Sequence, residues 1–209
     1  VSAVALFPQY RDAQALAGAD RVHPADLWPV ERRFREPEGA VSLPPLSYGP
    51  EARARLDAAV LRIVKSGDLK AALSLRDTCL GFVAAQTDRQ ARAFWKICAG
   101  FFDAFGSGLL SPDVYVKRVA SRVLMQYATL AKGEHGITER LLQDLLFFCA
   151  QAAPEPTAAA ATPALQAVRQ SFGLQRHPPV DYERPRFGLF DPALLAQARK
   201  RIAAATETW

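Results

Sequence analysis

The stretch SPDVYVKRVASRVLMQYATLAKGEHGITERLLQDLLFFCAQAAP, residues 111–154, decides the fold class, because it reads as two amphipathic helices joined by a short Gly-containing turn. Ser111 offers a capping hydroxyl, Pro112 suits a first helical position whose N–H would be unpaired, and Asp113 favours the positive end of the helix dipole. Val116, Ala120, Val123, Tyr127 and Leu130 then recur at steps of three and four, one apolar stripe that closes at Lys132-Gly133. In the second helix Leu141, Leu145 and Phe148 form one row and Leu142, Leu146 and Cys149 the next. An arc that wide needs more than one neighbour, which places this helix at the centre of a bundle.

Upstream the same period continues. Residues 51–67 carry Leu56, Val60, Ile63 and Val64 on one face and stop at Gly67; Asp68 then caps a helix whose Leu69, Leu73, Leu80 and Val83 make a broad apolar side. Thr87 and Gln90 form a capping-box pattern opening residues 87–108. There Phe94, Trp95, Ile97, Cys98, Phe101, Phe102 and Phe105 cover most of the circumference and leave Arg92, Lys96 and Asp103 as a narrow wet edge. Before Pro50, residues 4–18 form a short helix with Pro8 in its first turn, Phe7, Tyr10 and Leu16 available for packing, and Gly18 as its end. A further turn follows Pro24, and residues 36–50 are too rich in Pro and Gly for regular structure. The large apolar groups Trp28, Phe34, Leu43, Leu46 and Tyr48 make this segment an arm laid over the bundle.

Beyond Pro154 a low-complexity link, PEPTAAAAT, leads to a short helix from Thr162-Pro163 to Gly173. A second Pro-rich arm over 174–190 carries Tyr182, Phe187, Leu189 and Phe190, and Asp191-Pro192 opens a last helix. No stretch sustains a period of two with turn signals, so the expected fold is all-α: a bundle of about six to nine helices with irregular N- and C-terminal arms. The expected organisation is one domain over 1–209, with 1–49 a wrapping arm, 50–153 the main bundle, and 154–209 a linker, short helices and an arm.

At 209 residues, with half of them hydrophobic and a net charge of +5, the chain has a globular composition that permits an acidic partner without requiring one. Its apolar runs fall short of the roughly 20 residues of a membrane span and its start lacks signal-peptide order, which gives a cytoplasmic expectation. A first residue other than Met suits a fragment of a longer protein. Cys79, Cys98 and Cys149 are far apart and in apolar helical settings, so they read as buried thiols, neither a disulfide framework nor a metal site.

Candidate chemistry is sparse. His23 and His177 each precede a proline, His135 lies in the hairpin turn, and surface turns account for all three; no HxxxH, GxSxG or phosphate-binding glycine motif occurs. Glu139 and Asp144 read as a solvated edge. No catalytic, cofactor-binding or metal-binding residue is assigned and no cofactor is expected. What stands out is basic: Lys117, Arg118 and Arg122 on the outer side of the first hairpin helix, with ERRFR at 31–35 as a second cluster. The low net charge and the apolar second helix argue against a helix-turn-helix and against nucleic acid, leaving these cations as partner-binding candidates.

The strings LFPQYRDAQALAGADRVHPADLW (6–28), RVASRVLMQYATLAKG (118–133) and RLLQDLLFFCAQA (140–152) resemble the N-terminal region of CheA-like hybrid histidine kinases of type IV pilus (twitching) chemosensory systems, and through it FimL-like regulators. The resemblance implies a helical region related to histidine phosphotransfer (Hpt) domains, possessing an Hpt-like four-helix core and standing upstream of the kinase core. Phosphotransfer needs a mid-helix histidine in an HxxKG-like setting; before Lys132-Gly133 that position is Thr129, so no phosphorylation residue carries over. The resemblance therefore implies a non-catalytic docking domain, whose partners are proteins of the pilus pathway or other domains of the same kinase. Two alternatives stay open at this point: phosphotransfer through an unorthodox histidine such as His135, and a small-molecule site in the aromatic interior near Phe94 and Phe101.

Overall fold

The computed structural model describes residues 2–29, 34–185 and Gln197. Among the described residues there are seven α-helices and no strand: α1 (Phe7–Leu16), α2 (Pro50–Ser66), α3 (Leu69–Ala85), α4 (Arg89–Gly106), α5 (Val114–Ala131), α6 (Glu139–Gln151) and α7 (Pro163–Ser171). The chain divides into two compact units, Val1–Pro29 with Val180–Trp209, and Val30–Pro179. The expected last helix from Asp191-Pro192, Phe187, Leu189, Phe190 and most of the ERRFR cluster lie outside the described residues.

In the smaller unit α1 begins with Pro8 in its first turn and ends before Gly18, which takes a left-handed φ of 75°. Phe7 is buried against Tyr10 and Tyr182, at ring centroid distances of 6.3 and 6.4 Å, whereas Leu16 is exposed and packs against little. His23 is not a surface residue. It is buried at the head of a 3-10 turn, Pro24–Leu27, where Nδ1 accepts from the Ala25 N–H at 3.0 Å and the His23 N–H donates to Asp26 Oδ2 at 2.9 Å.

The larger unit is built around α4, every residue of which from Ala93 to Gly106 is buried. It packs against α3, α6 and α7, so the central place expected for α6 belongs to α4; α6 lies beside it, against α5 and α7 as well. Composition explains the exchange: five large aromatic side chains on α4 need neighbours all round, whereas α6 keeps Glu139 and the partly exposed Leu142 and Gln143 outward. Phe82, Trp95, Tyr48 and Tyr127 stack at centroid distances of 4.7 to 6.3 Å at one end. Phe101, Phe102, Phe147 and Phe148 do the same further along. α7 can cross α4 closely only because position 100 is glycine: a Cβ there would lie 2.6 Å from Val168 Cγ2 and 3.2 Å from the Ala164 carbonyl oxygen.

The helix ends follow local chemistry, with two corrections. Asp68 caps α3 through the Ala71 N–H at 3.0 Å, Gly67 ends α2 at φ 64°, and α7 starts at Pro163 as expected. α5, however, is capped by Asp113 rather than Ser111: its Oδ1 accepts from the Tyr115 and Val116 N–H groups, both at 2.8 Å, and Pro112 precedes the helix. α4 is capped by Asp88, which accepts from the Ala91 N–H at 2.8 Å, and not by a Thr87–Gln90 box. In both places a carboxylate next in line displaces a hydroxyl, as a charged acceptor makes the stronger bond to backbone N–H groups. On α3 the buried stripe is Ala72, Leu75, Cys79, Phe82 and Val83; Leu69 is exposed and Leu73 and Leu80 are half-buried. All three cysteines are free and buried, and burial pushes each thiol well above its ordinary range.

Residues 34–49 bond to the helices of the larger unit, whereas Trp28, read as part of the same arm, belongs to the smaller unit. The Leu46 N–H donates to the Gly81 carbonyl at 2.9 Å, the Trp95 indole N–H donates to the Tyr48 hydroxyl at 2.7 Å, and Tyr127 Oη both accepts from the Gly49 N–H and donates to its carbonyl. Burial pushes the Tyr48 phenol up to about 12, against the opposing effect of the indole hydrogen bond. Phe34, at the start of this segment, is 42% exposed.

Candidate functional site

The polar edge read on α4 is not wet. Asp103 is fully buried: Oδ1 accepts from Arg76 Nη1 at 3.1 Å, and Oδ2 accepts from the Leu165 N–H at 3.1 Å, so a side chain of α4 caps the first turn of α7. Lys96 is buried and donates to the Pro37 carbonyl at 2.8 Å and the Gly39 carbonyl at 3.2 Å. Glu36 ties the arm to the same stripe, 3.0 Å from Lys96 Nζ and 3.2 Å from Arg92 Nε. Burial works to raise the Glu36 carboxyl, but the contacts with Lys96 and Arg92 prevail and hold it below its ordinary value. A helical wheel of α4 shows three polar positions and cannot show that an arm and α7 will cover them.

Arg169 on α7 plays a related part. Its Nη1 donates to the carbonyls of Cys149, Ala150 and Ala152 at 2.8, 3.0 and 3.2 Å, supplying donors to the orphan end of α6. Burial lowers the affinity of this guanidinium for its proton. These charges hold segments of the chain to one another.

The three sequence-predicted cations separate in the structure. Arg122 Nη1 donates to Asp144 Oδ2 at 2.6 Å, and Asp144 is 1% exposed, so Asp144 is no solvated edge and the Arg122 charge is committed to a buried carboxylate. Arg118 is exposed and its guanidinium carbon sits 6.0 Å from the centroid of the Tyr115 ring, which orients it. Lys117 is half-buried one residue before. Lys117 and Arg118 border an open hollow whose apolar wall is Val64 of α2 together with Pro112 and Val114. Among the described residues neither cation takes part in an ion pair. The sequence reading missed Val64 and Val114 as parts of this face: Val64 was assigned to the core stripe of α2 but is 37% exposed, and Val114, 55% exposed, lies off the apolar stripe of α5.

His135 is exposed between α5 and α6 and not in mid-helix, and Thr129 occupies the last turn of α5. Among the described residues no three metal-ligating side chains gather, and no helix is long and apolar enough to cross a membrane. Phe94 and Phe101 are buried within the ring stacks and do not line the open hollows at Leu43–Gly81, Tyr48–Lys132 and Val64–Ser121.

Fold and face together define an all-α protein whose interior charges bind its own segments and whose α5 carries, beside exposed valines, two cations with no ion pair among the described residues. Comparison with protein families gives it a place. A family described as the FimL scaffold protein second domain matches residues 44–185, and the chain belongs to that family. No curated protein and no solved structure matches it.

Proposed function

We propose that this domain is a non-catalytic scaffold and regulatory module of a chemosensory pathway controlling type IV pili, working by docking a protein partner on the outer face of α5 through Lys117 and Arg118. Membership in the FimL scaffold second-domain family supports the scaffolding role and the pilus context. The observation that carries the choice of face is that Lys117 and Arg118 are outward cations without an ion pair among the described residues, whereas Arg122 is taken up by Asp144. A parent related to the CheA-like histidine kinases, an Hpt-like origin of the bundle and a cytoplasmic location belong to the same proposal and rest on the resemblance of the three strings. Arg122 serves the docking face from beneath, by fixing α5 against α6.

The test is a Lys117→Glu/Arg118→Glu change in the full-length protein in its own cells, with partner recovery and twitching measured side by side. Reduced recovery of the partner at unchanged protein level and helicity is the expected result. Recovery equal to the unaltered protein would reject this face.

A further inference from the structure

The hollow beside Lys117 is one end of a longer groove. α2 and α5 run antiparallel: at one end Gly67 approaches Pro112 so closely that a Cβ would lie 2.9 Å from the proline Cβ, and at the other Tyr127 bonds Gly49 just before α2 begins. Two open hollows mark the outer seam between them. The first, about 430 Å³, has Val64, Val114 and Ser121 in its walls; the second, about 300 Å³, has Ala128, Ala131 and Lys132. Their centres along α5 are about twelve residues apart, or about 18 Å at 1.5 Å per residue. On the same helical rows Leu61, three residues before Val64, is 52% exposed, and Met125, four after Ser121 and three before Ala128, is 71% exposed.

The charge along this seam has one sign left over. α5 contains three cations and no carboxylate, and its capping Asp113 is engaged with backbone N–H groups. On α2 the carboxylates are already matched one turn away, Asp57 by Arg53 at 3.0 Å and Glu51 by Arg55 at 2.6 Å. Lys117 and Arg118 at one end and the exposed Lys132 at the other have no ion pair among the described residues. A seam of two antiparallel helices with apolar hollows and basic borders has the shape that accepts a third helix, and the unmatched charge selects its sign.

We propose that the α2–α5 seam binds an acidic amphipathic helix of a partner protein, which inserts two apolar side chains about eleven residues apart into the two hollows and sets carboxylates against Lys117, Arg118 and Lys132. This rests on the docking reading of α5 and specifies the chemistry of the partner. Apolar insertion supplies affinity, and the cations supply orientation and encounter rate.

The probe is a labelled helical peptide of about 18 residues with leucines at i, i+4, i+7 and i+11 and glutamates flanking them, compared with a peptide of the same leucines flanked by lysines. Anisotropy titration with the whole chain should show the acidic peptide bound at least about tenfold more tightly than the basic one, with about tenfold weakening by Lys117→Glu/Arg118→Glu and several-fold weakening by Val64→Ser or Val114→Ser. All four positions are at least partly exposed, so far-UV circular dichroism should stay unchanged. Equal binding of both peptides, no binding of the acidic one, or undiminished binding to the charge-reversed variant would overturn the proposal. A dimer seen by sedimentation and broken by the same reversal would assign the seam to a second copy and overturn it too. Failure of the peptide while charge reversal still abolishes partner recovery in cells removes the helix and keeps the docking face; peptide binding with unaffected recovery removes the docking face.

Discussion

Asp103→Ala should cost the larger unit about 3 kcal/mol. The carboxylate is fully buried, with one oxygen 3.1 Å from Arg76 Nη1 and the other 3.1 Å from the Leu165 N–H. Removing one partner of a buried ion pair costs about 3–5 kcal/mol. Here the Arg76 side chain is 25% exposed and also contacts Asp77 at 2.9 Å, so its charge is not stranded and the lower end applies. Loss of the cap leaves the Leu165 N–H without its acceptor, which contributes about 1 kcal/mol of the total. For a chain of this size the change lowers Tm by about 6–12 °C, at roughly 2–4 °C per kcal/mol. Urea unfolding followed by circular dichroism measures the loss, and amide exchange at Leu165 and its neighbours locates it. Arg76→Leu combined with Asp103→Leu should recover part of the stability, because no charge is then left behind. A loss below about 1 kcal/mol, or unchanged exchange at the start of α7, would refute the view that Asp103 holds α7 to α4.

Three further outcomes follow from particular contacts. Gly100→Ala should destabilise by about 1–3 kcal/mol despite the better helix propensity of alanine, because the added methyl meets Val168 and the Ala164 carbonyl; thermal melts check it. Arg122→Glu should cost at least about 2 kcal/mol in urea unfolding by facing Asp144 with a second carboxylate, whereas Arg118→Glu should stay within about 0.5 kcal/mol. Because the Glu36 carboxyl is held below its ordinary value, its contribution is present above the unfolded-state pKa of about 4.3 and is lost as pH falls through the folded one. Acid titration should therefore release the 34–49 arm early, read by Trp95 fluorescence through its bond to Tyr48, and Glu36→Gln should remove that step.

Much of the fold was legible because helix ends are local. Gly67, Asp68, Lys132-Gly133 and Thr162-Pro163 act within a few residues of themselves, and the structure keeps each at or beside the helix end read for it. Where two capping groups compete within two residues, as at Ser111 and Asp113, sequence order favoured the hydroxyl and bond strength favoured the carboxylate. The basic side of α5 was also legible, since Lys117 and Arg118 fall off its apolar stripe.

The apolar half of that face was not. Val64 and Val114 look like core residues by type, and only the antiparallel seating of α2 on α5, fixed by Gly67 against Pro112 and by Tyr127 on Gly49, leaves them at an open seam. Sequence alone determined an all-helical chain, its helix boundaries to within a few residues and the sign of its outward charge, because periodicity, caps and side-chain charge are properties of short segments. The tertiary structure decided that α4 and not α6 is the axis, that Asp103, Lys96 and Asp144 are interior, and that Arg122 is committed while Arg118 is free of ion pairs among the described residues. Burial of a polar group depends on which distant segment covers it, and no local pattern carries that information.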